Sequence, residues 1–290
     1  MNISMNGTAT EVAVAGRNVG EILSELDEHA EKAGAIITCI RYNGATLDAE
    51  SIPGITGAAA DGPGTLELTA EPATGMKARA IETLLQLVEA AATASDEATV
   101  AAVRQAWTSY RLAFDGLYSA EESSFLDAFG MELAGNGDEI QSTAGISGTA
   151  SQLASFFSER LTELQNPAGS MLAASLLFDS IRTDLSEVAV RLQTGKEAEG
   201  MHTMVMVVEL INKTVRILPD FMRTVPGAAG LSIEGRNIGE FYDDFNVVLR
   251  ELAGAFENKD SVLIGDLAEY EILPRLSAFF LAAGAALEQT

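Results

Sequence analysis

Strand signals in this chain end near residue 72 and do not return. Before that point, short alternating apolar runs are separated by turn-forming pairs. From Met76 onward, apolar residues recur almost without interruption at the three-and-four spacing of helices. A chain divided in this way predicts an α+β protein, with a small β-rich module leading into a larger helical body. The expected segments are 1–71 for the β module, 76–165 for a helical connecting region and 166–290 for a helical bundle. At 290 residues there is enough chain for more than one core.

Within the first segment, Ile3 and Met5 alternate with polar neighbours and lead to Asn6-Gly7, a pair that favours the type I′ hairpin turn. Thr8–Val14 predicts the returning strand, with Val12 and Val14 on one face. Asn18 and Glu21 form a capping box for an amphipathic helix carrying Val19, Ile22, Leu23 and Leu26. Ala35–Tyr42 reads as a third strand, Asn43-Gly44 as a second hairpin turn, and Ile52-Pro53-Gly54 and Asp61-Gly62-Pro63-Gly64 as loops. Thr65–Ala70 alternates again, with Leu66 and Leu68 on one side. This order resembles the β-grasp fold of the ubiquitin-like proteins, most closely in the segments IITCIRYNGATLD and TLELTAEP. Conjugated modifiers of that fold need a free Gly-Gly terminus. Here the last strand runs through Glu71-Pro72-Ala73-Thr74-Gly75 into a helix, so the resemblance implies a fixed docking or dimerisation module instead of a carrier.

In the helical body, Ile81, Leu84, Leu85 and Val88 mark a first stripe, with Ser95 expected to cap the next helix and Ser119 with Glu122 the one after. Asp138–Ala150, rich in small residues, predicts a connector that merges into a helix at Ser151. Asn166-Pro167 is a strong helix start, and that helix is expected to run to Thr194. Lys196–Leu218 follows, ended by Pro219; then come a loop over 224–235, a helix over Asn237–Glu257, and a last helix, Ser261–Leu287, kinked at Pro274. The stretch 171–280 thus predicts a four-helix bundle. Leu177-Phe178-Asp179, Phe241-Tyr242-Asp243 and the turn Asn258-Lys259-Asp260 give it an order similar to the flagellin-export chaperone family. Phe178 stands where that family has tyrosine, and the family's closing tryptophan is missing. The resemblance implies a protein of flagellar or secretion export that binds an aggregation-prone helix along an apolar surface without catalysis.

No catalytic constellation is visible, and neither a metal nor a cofactor is expected. Cys39 is the only cysteine, read as a buried thiol, and the histidines are His29 and His202. Glu199 and His202 supply one Glu-x-x-His, where a di-iron bundle needs two. Asp266, Glu269 and Glu271 read as a solvated acidic face. Two segments share the pattern Gly-Arg-Asn-apolar-Gly-Glu, from Gly16 and from Gly235. Each is either a capped helix start or an anion site assisted by arginine.

The adjacent ring pairs Phe156-Phe157, Phe241-Tyr242 and Phe279-Phe280 each place two rings about 100° apart on a helix. Either those helices are covered on two sides or one ring of each pair faces a groove. With Phe178 these rings are the candidate protein-binding residues. Met201, Met204 and Met206 add a wide apolar face.

With 42 acidic against 18 basic residues, the net charge is −24, which repels nucleic acid and anionic membranes and favours a basic or amphipathic helical protein partner. Leu276–Leu287 is too short to span a bilayer, and Met1–Thr10 lacks the apolar region of a signal peptide, so a cytoplasmic location is expected. The expected function is that of a non-enzymatic adaptor or chaperone-like protein, with a homodimer as one expected form. The alternatives are a structural homo-oligomer and, third, an enzyme acting in the acidic helical domain.

Overall fold

The structure, a computed structural model, describes residues 1–94, 96–134 and 143–289, those at 143–147 by backbone alone. It is α+β, a small sheet followed by helices. The chain divides into two compact units, Met1–Leu161 and Thr162–Thr290. The expected segments 1–71 and most of 76–165 therefore fall in one unit.

The first unit begins with strands β1 (Asn2–Met5) and β2 (Thr8–Ala9), helix α1 (Val19–Lys32), strands β3 (Ala35–Tyr42) and β4 (Ala45–Thr46), the short helix α2 (Ile52–Thr56) and strand β5 (Thr65–Pro72). The sheet order is β2-β1-β5-β3-β4. β1 and β5 run parallel at its centre, and the other pairs are antiparallel. Both Asn-Gly pairs take the left-handed backbone of a type I′ turn, with φ of 52° and 76° at Asn6 and Gly7 and 51° and 82° at Asn43 and Gly44. One sheet face packs Ile3, Leu66 and Leu68 against Ile22 and Leu26 of α1. On β3 and β5, Arg41 and Glu67 pair across the strands at 3.4 Å and stay exposed.

Three expectations change in this region. The second strand stops at Ala9, because the last hydrogen bond to β1 is donated by the Thr10 amide to the Ile3 carbonyl; Val12 and Val14 still pack on the core without strand pairing. Ile52-Pro53-Gly54 is helical, since proline is tolerated in a first turn. Cys39 is half-buried beside a bulge between Ile37 and Cys39 that shifts the alternation of β3.

Helix α3 (Ala73–Thr93) leaves β5 directly and is followed by α4 (Glu97–Phe114), α5 (Ala120–Ala134) and α6 (Thr143–Gln165). The expected cap Ser95 lies outside the described residues. Asp96 caps α4, accepting from the Thr99 amide at 2.8 Å. The expected connector over Asp138–Ala150 lies partly outside them too, and its described part, 143–150, belongs to α6. Alanine is the strongest helix former, and Ala150 is buried, so the pattern starts one to two turns earlier than the large side chains indicate.

The second unit holds α7 (Pro167–Ser186), α8 (Val188–Gln193), α9 (Glu197–Thr224), a two-stranded hairpin of β6 (Ser232–Ile233) and β7 (Arg236–Asn237), α10 (Ile238–Glu257), α11 (Ser261–Asp266), a π-helical turn over Leu267–Ile272 and α12 (Leu273–Leu287). These helices enclose one apolar core. The helix expected from Asn166 to Thr194 is divided at Glu187. Pro219 does not end α9, because Ile217, Leu218 and Phe221 are buried around it and hold the next turn in place. The loop expected over 224–235 contains β6. Before Pro274, which lacks an amide to donate, the helix widens into its π turn. Gly265 lets α11 touch α8, since a Cβ there would lie 2.7 Å from the Ala189 Cα.

The run Ser261–Leu287 is long and apolar enough, by length and composition, to cross a membrane. Its Ile264, Leu267, Ile272, Leu276 and Phe279 are buried in the core of the unit.

Candidate functional site

The rings nominated by the sequence lie mostly inside. Phe279 and Phe280 are both buried because α12 is covered on two sides. Phe279 stacks on Phe241 of α10 at 6.3 Å, and Phe280 on Phe178 of α7 at 5.1 Å. In the first unit Phe157 is fully buried, and Phe156, half-buried, stacks on Phe125 at 4.6 Å. As a partner surface, Phe157, Phe178, Phe241, Phe279 and Phe280 are therefore corrected to core residues. Helix α12 turns one ring to each of two neighbours, α10 and α7.

Tyr242 is less enclosed than these rings. It is half-buried at a narrow apolar cleft lined with Ile211, Thr214, Phe241, Phe245, Leu276 and Phe279. Burial raises the pKa of its hydroxyl, which makes no hydrogen bond to a described residue.

The two Gly-Arg-Asn segments fold alike. Asn18 accepts from the Glu21 amide at 2.9 Å while Glu21 accepts from the Asn18 amide at 3.0 Å. Asn237 and Glu240 repeat this at 3.0 and 3.2 Å. Each arginine folds back onto a carboxylate eight residues on, Arg17 to Glu25 at 2.5 Å and Arg236 to Asp244 at 3.2 Å. The cap amides are occupied, a glutamate already sits in each first turn, and each arginine is neutralised, so both are structural helix starts and not anion sites. Asp244 is held below the usual carboxylate range by Arg275 first, at 2.9 Å, and by Arg236.

The Ser119–Glu122 capping box forms, but its glutamate does more than cap. Glu122 is buried against Lys77 at 2.6 Å and Arg160 at 3.1 Å. Burial opposes its ionisation; the Lys77 ammonium and the Ser119 amide outweigh that and lower its pKa. Beside it, burial pushes the Tyr118 hydroxyl up to about 12. In the second unit, buried Glu163 takes both Nε and a terminal nitrogen of Arg216, at 3.3 and 2.9 Å. Among the described residues no three His, Cys, Asp or Glu side chains are grouped to hold a metal ion. Glu199 is exposed and pairs with Lys196 at 3.6 Å.

On α7 and α9 the large apolar side chains left in solvent are aliphatic. On α9, Met201 (36% exposed), Val205 (53%), Val208 (37%) and Val215 (46%) face outward, and on α7 so do Leu172 and Leu176. The wide methionine face expected on α9 divides: Met204 is buried, Met206 packs on the core edge and Met201 joins the exposed valines. The missed signal was the spacing 201, 205, 208, 212, 215, a second apolar line beside the core line of the same helix.

Residues 170–280, which begin in α7 and end in α12, match the family described as a domain of unknown function, DUF8042. An uncharacterized protein of Treponema pallidum (strain Nichols) is 31% identical over 90 residues, covering 31% of this chain and 44% of that protein. The chain thus spans less than half the length of this curated relative. No solved structure matches the chain.

Proposed function

We propose that this protein is a non-enzymatic, cytoplasmic adaptor or chaperone-like protein that binds another protein through the helical face of its second unit. One observation carries the reading: the core of that unit is closed around its rings, yet α9 and α7 still present Met201, Val205, Val208, Val215, Leu172 and Leu176 to solvent. Exposed apolar patches on helix faces mark interaction sites in water-soluble proteins. The net charge of −24 favours a basic or amphipathic segment as partner and disfavours nucleic acid and anionic lipid.

The strand order with parallel β1 and β5 at the centre supports a ubiquitin-like β-grasp module. The Arg41–Glu67 pair on its outer face supports placing the docking on the helices instead. The enclosure of one core by α7, α9, α10 and the α11–α12 run supports a four-helix bundle, the architecture implied by the resemblance to flagellin-export chaperones.

The test is a photo-crosslinking amino acid at position 208 or 172 in the full chain, expressed in native cells. A dominant adduct with a different protein is expected, lost on Val205→Asp/Val208→Asp while the circular dichroism is unchanged. A chain that forms no adduct at either position and has the mass of a monomer at all concentrations sinks the reading. An adduct with itself replaces it by homo-oligomerisation.

A further inference from the structure

The two Asn-Gly turns of the first unit are a matched pair. Each leads to or from an edge strand of two residues, β2 or β4, and each holds its asparagine and glycine at positive φ. Each asparagine also donates its backbone amide to β5, Asn6 to the Leu68 carbonyl and Asn43 to the Thr65 carbonyl, both at 2.9 Å. Both residues are exposed. Their side chains are held differently. The Asn6 carboxamide is fixed at both ends by the backbone of Ala70, with Nδ2 donating to the carbonyl at 3.0 Å and Oδ1 accepting from the amide at 2.9 Å. The Asn43 carboxamide is fixed at one end, where Oδ1 accepts from the Thr65 amide at 2.9 Å, and its Nδ2 bonds to no described residue. Arg41 donates to the Gly44 carbonyl at 3.2 Å, which holds neither the Gly44 nitrogen nor the carboxamide.

Asparagine followed by glycine carries a reaction of its own, because no Cβ on the glycine shields its backbone nitrogen. That nitrogen attacks Cγ of the asparagine. An N–Cγ bond forms, the Cγ–Nδ2 bond breaks, and the amide proton leaves with Nδ2 as ammonia, so that a succinimide remains. Water then opens the ring at one of its two carbonyls. Opening at Cγ gives aspartate, and opening at the main-chain carbonyl gives isoaspartate. Water enters, ammonia leaves, and nothing is oxidised or reduced.

We propose that Asn43 is a site of spontaneous deamidation and that Asn6, in the same kind of turn, is protected by its grip on Ala70. The carboxamide must swing round to face the glycine nitrogen, so the bonds that fix it are given up first. Asn6 gives up two side-chain hydrogen bonds and Asn43 gives up one. One hydrogen bond corresponds to a reaction about fivefold faster at Asn43. The aspartate product still offers an oxygen to the Thr65 amide. The isoaspartate product routes the main chain through Cβ and Cγ and disturbs the turn that sets the register of β3 with β4.

The test is to age the full chain in mildly alkaline buffer, folded and in urea, and to follow conversion at each asparagine by peptide mapping with mass spectrometry. Mapping also separates the third Asn-Gly pair, Asn136-Gly137, which lies outside the described residues. In the folded chain Asn43 is expected to convert about fivefold faster than Asn6, and in urea the two rates are expected to converge. Conversion of Asn6 as fast as Asn43 in the folded chain overturns the proposal. So does an Asn43 that stays intact while the chain in urea converts. A rate ratio that is the same in urea overturns it as well, because the neighbours in sequence, and not the grip of Ala70, then set the difference.

Discussion

Three helices of the first unit share a buried ion cluster, and three of the second share a run of phenylalanine contacts. Lys77 from α3, Glu122 from α5 and Arg160 from α6 converge in a buried ion cluster. In the second unit Phe178, Phe241, Phe279 and Phe280 from three helices form a continuous chain of ring contacts, stacked between helices and edge-on from Phe279 to Phe280. The two solutions answer to different disturbances. An aromatic interior depends on volume and hardly on pH. An ion cluster depends on the protonation of Glu122, because Lys77 and Arg160 both lose this charged partner when it is neutralised.

Volume loss in the second unit is expected to have the largest effect. Phe279→Ala should cost about 3–5 kcal/mol, read by urea unfolding followed by circular dichroism, with the same cost at pH 7 and pH 5. Next is Glu122→Gln, which should cost about 3 kcal/mol at pH 7 by taking a buried carboxylate away from Lys77 and Arg160. Its folded pKa is lowered, so the stability it contributes is complete above the ordinary glutamate range of about 4.3 and is lost as pH falls through the folded value. Trp107, the only tryptophan, packs edge-on to Phe129 in the first unit. Its fluorescence should therefore report acid unfolding of the wild type before the signal of the second unit changes. If Glu122→Gln leaves that midpoint unmoved, the ion cluster does not hold the first unit.

Gly265→Ala should cost about 1–3 kcal/mol, because the added methyl meets the backbone of Ala189 and not a movable side-chain tip. The smallest effects compare the two repeated helix starts. Asn18→Ala and Asn237→Ala should each cost about 1 kcal/mol. A clearly larger loss at Asn237 would show that the Arg236–Asp244–Arg275 cluster depends on the cap, an arrangement that the start of α1 does not share.

Much of this was legible in sequence wherever the determining contacts are local. Asn-Gly pairs set both hairpin turns because their backbone preference needs no distant partner. Asn18 with Glu21, and Asn237 with Glu240, announce their helix starts three residues apart. What the periodicity could not show is which way a stripe faces when a helix has two. Phe279 and Phe280 look like a surplus until α10 and α7 are placed on either side. Met201, Val205, Val208 and Val215 look like part of the core until the core is seen to close without them. Pro219 reads as a helix end because its missing hydrogen bond is a local fact, while the burial of Phe221 that carries α9 past it is not.

The sequence by itself determined the class of this protein, its Asn-Gly turns, the Asn18 and Asn237 caps and the sign of its net charge; the turns and caps depend on residues within one turn of each other. Only the tertiary structure decided that Glu122 is buried between two cations, that Phe157, Phe178, Phe241, Phe279 and Phe280 belong to the core, and that α9 keeps Met201, Val205, Val208 and Val215 at its surface. Those outcomes depend on which distant helices exclude water from a side chain, and no spacing along the chain encodes that.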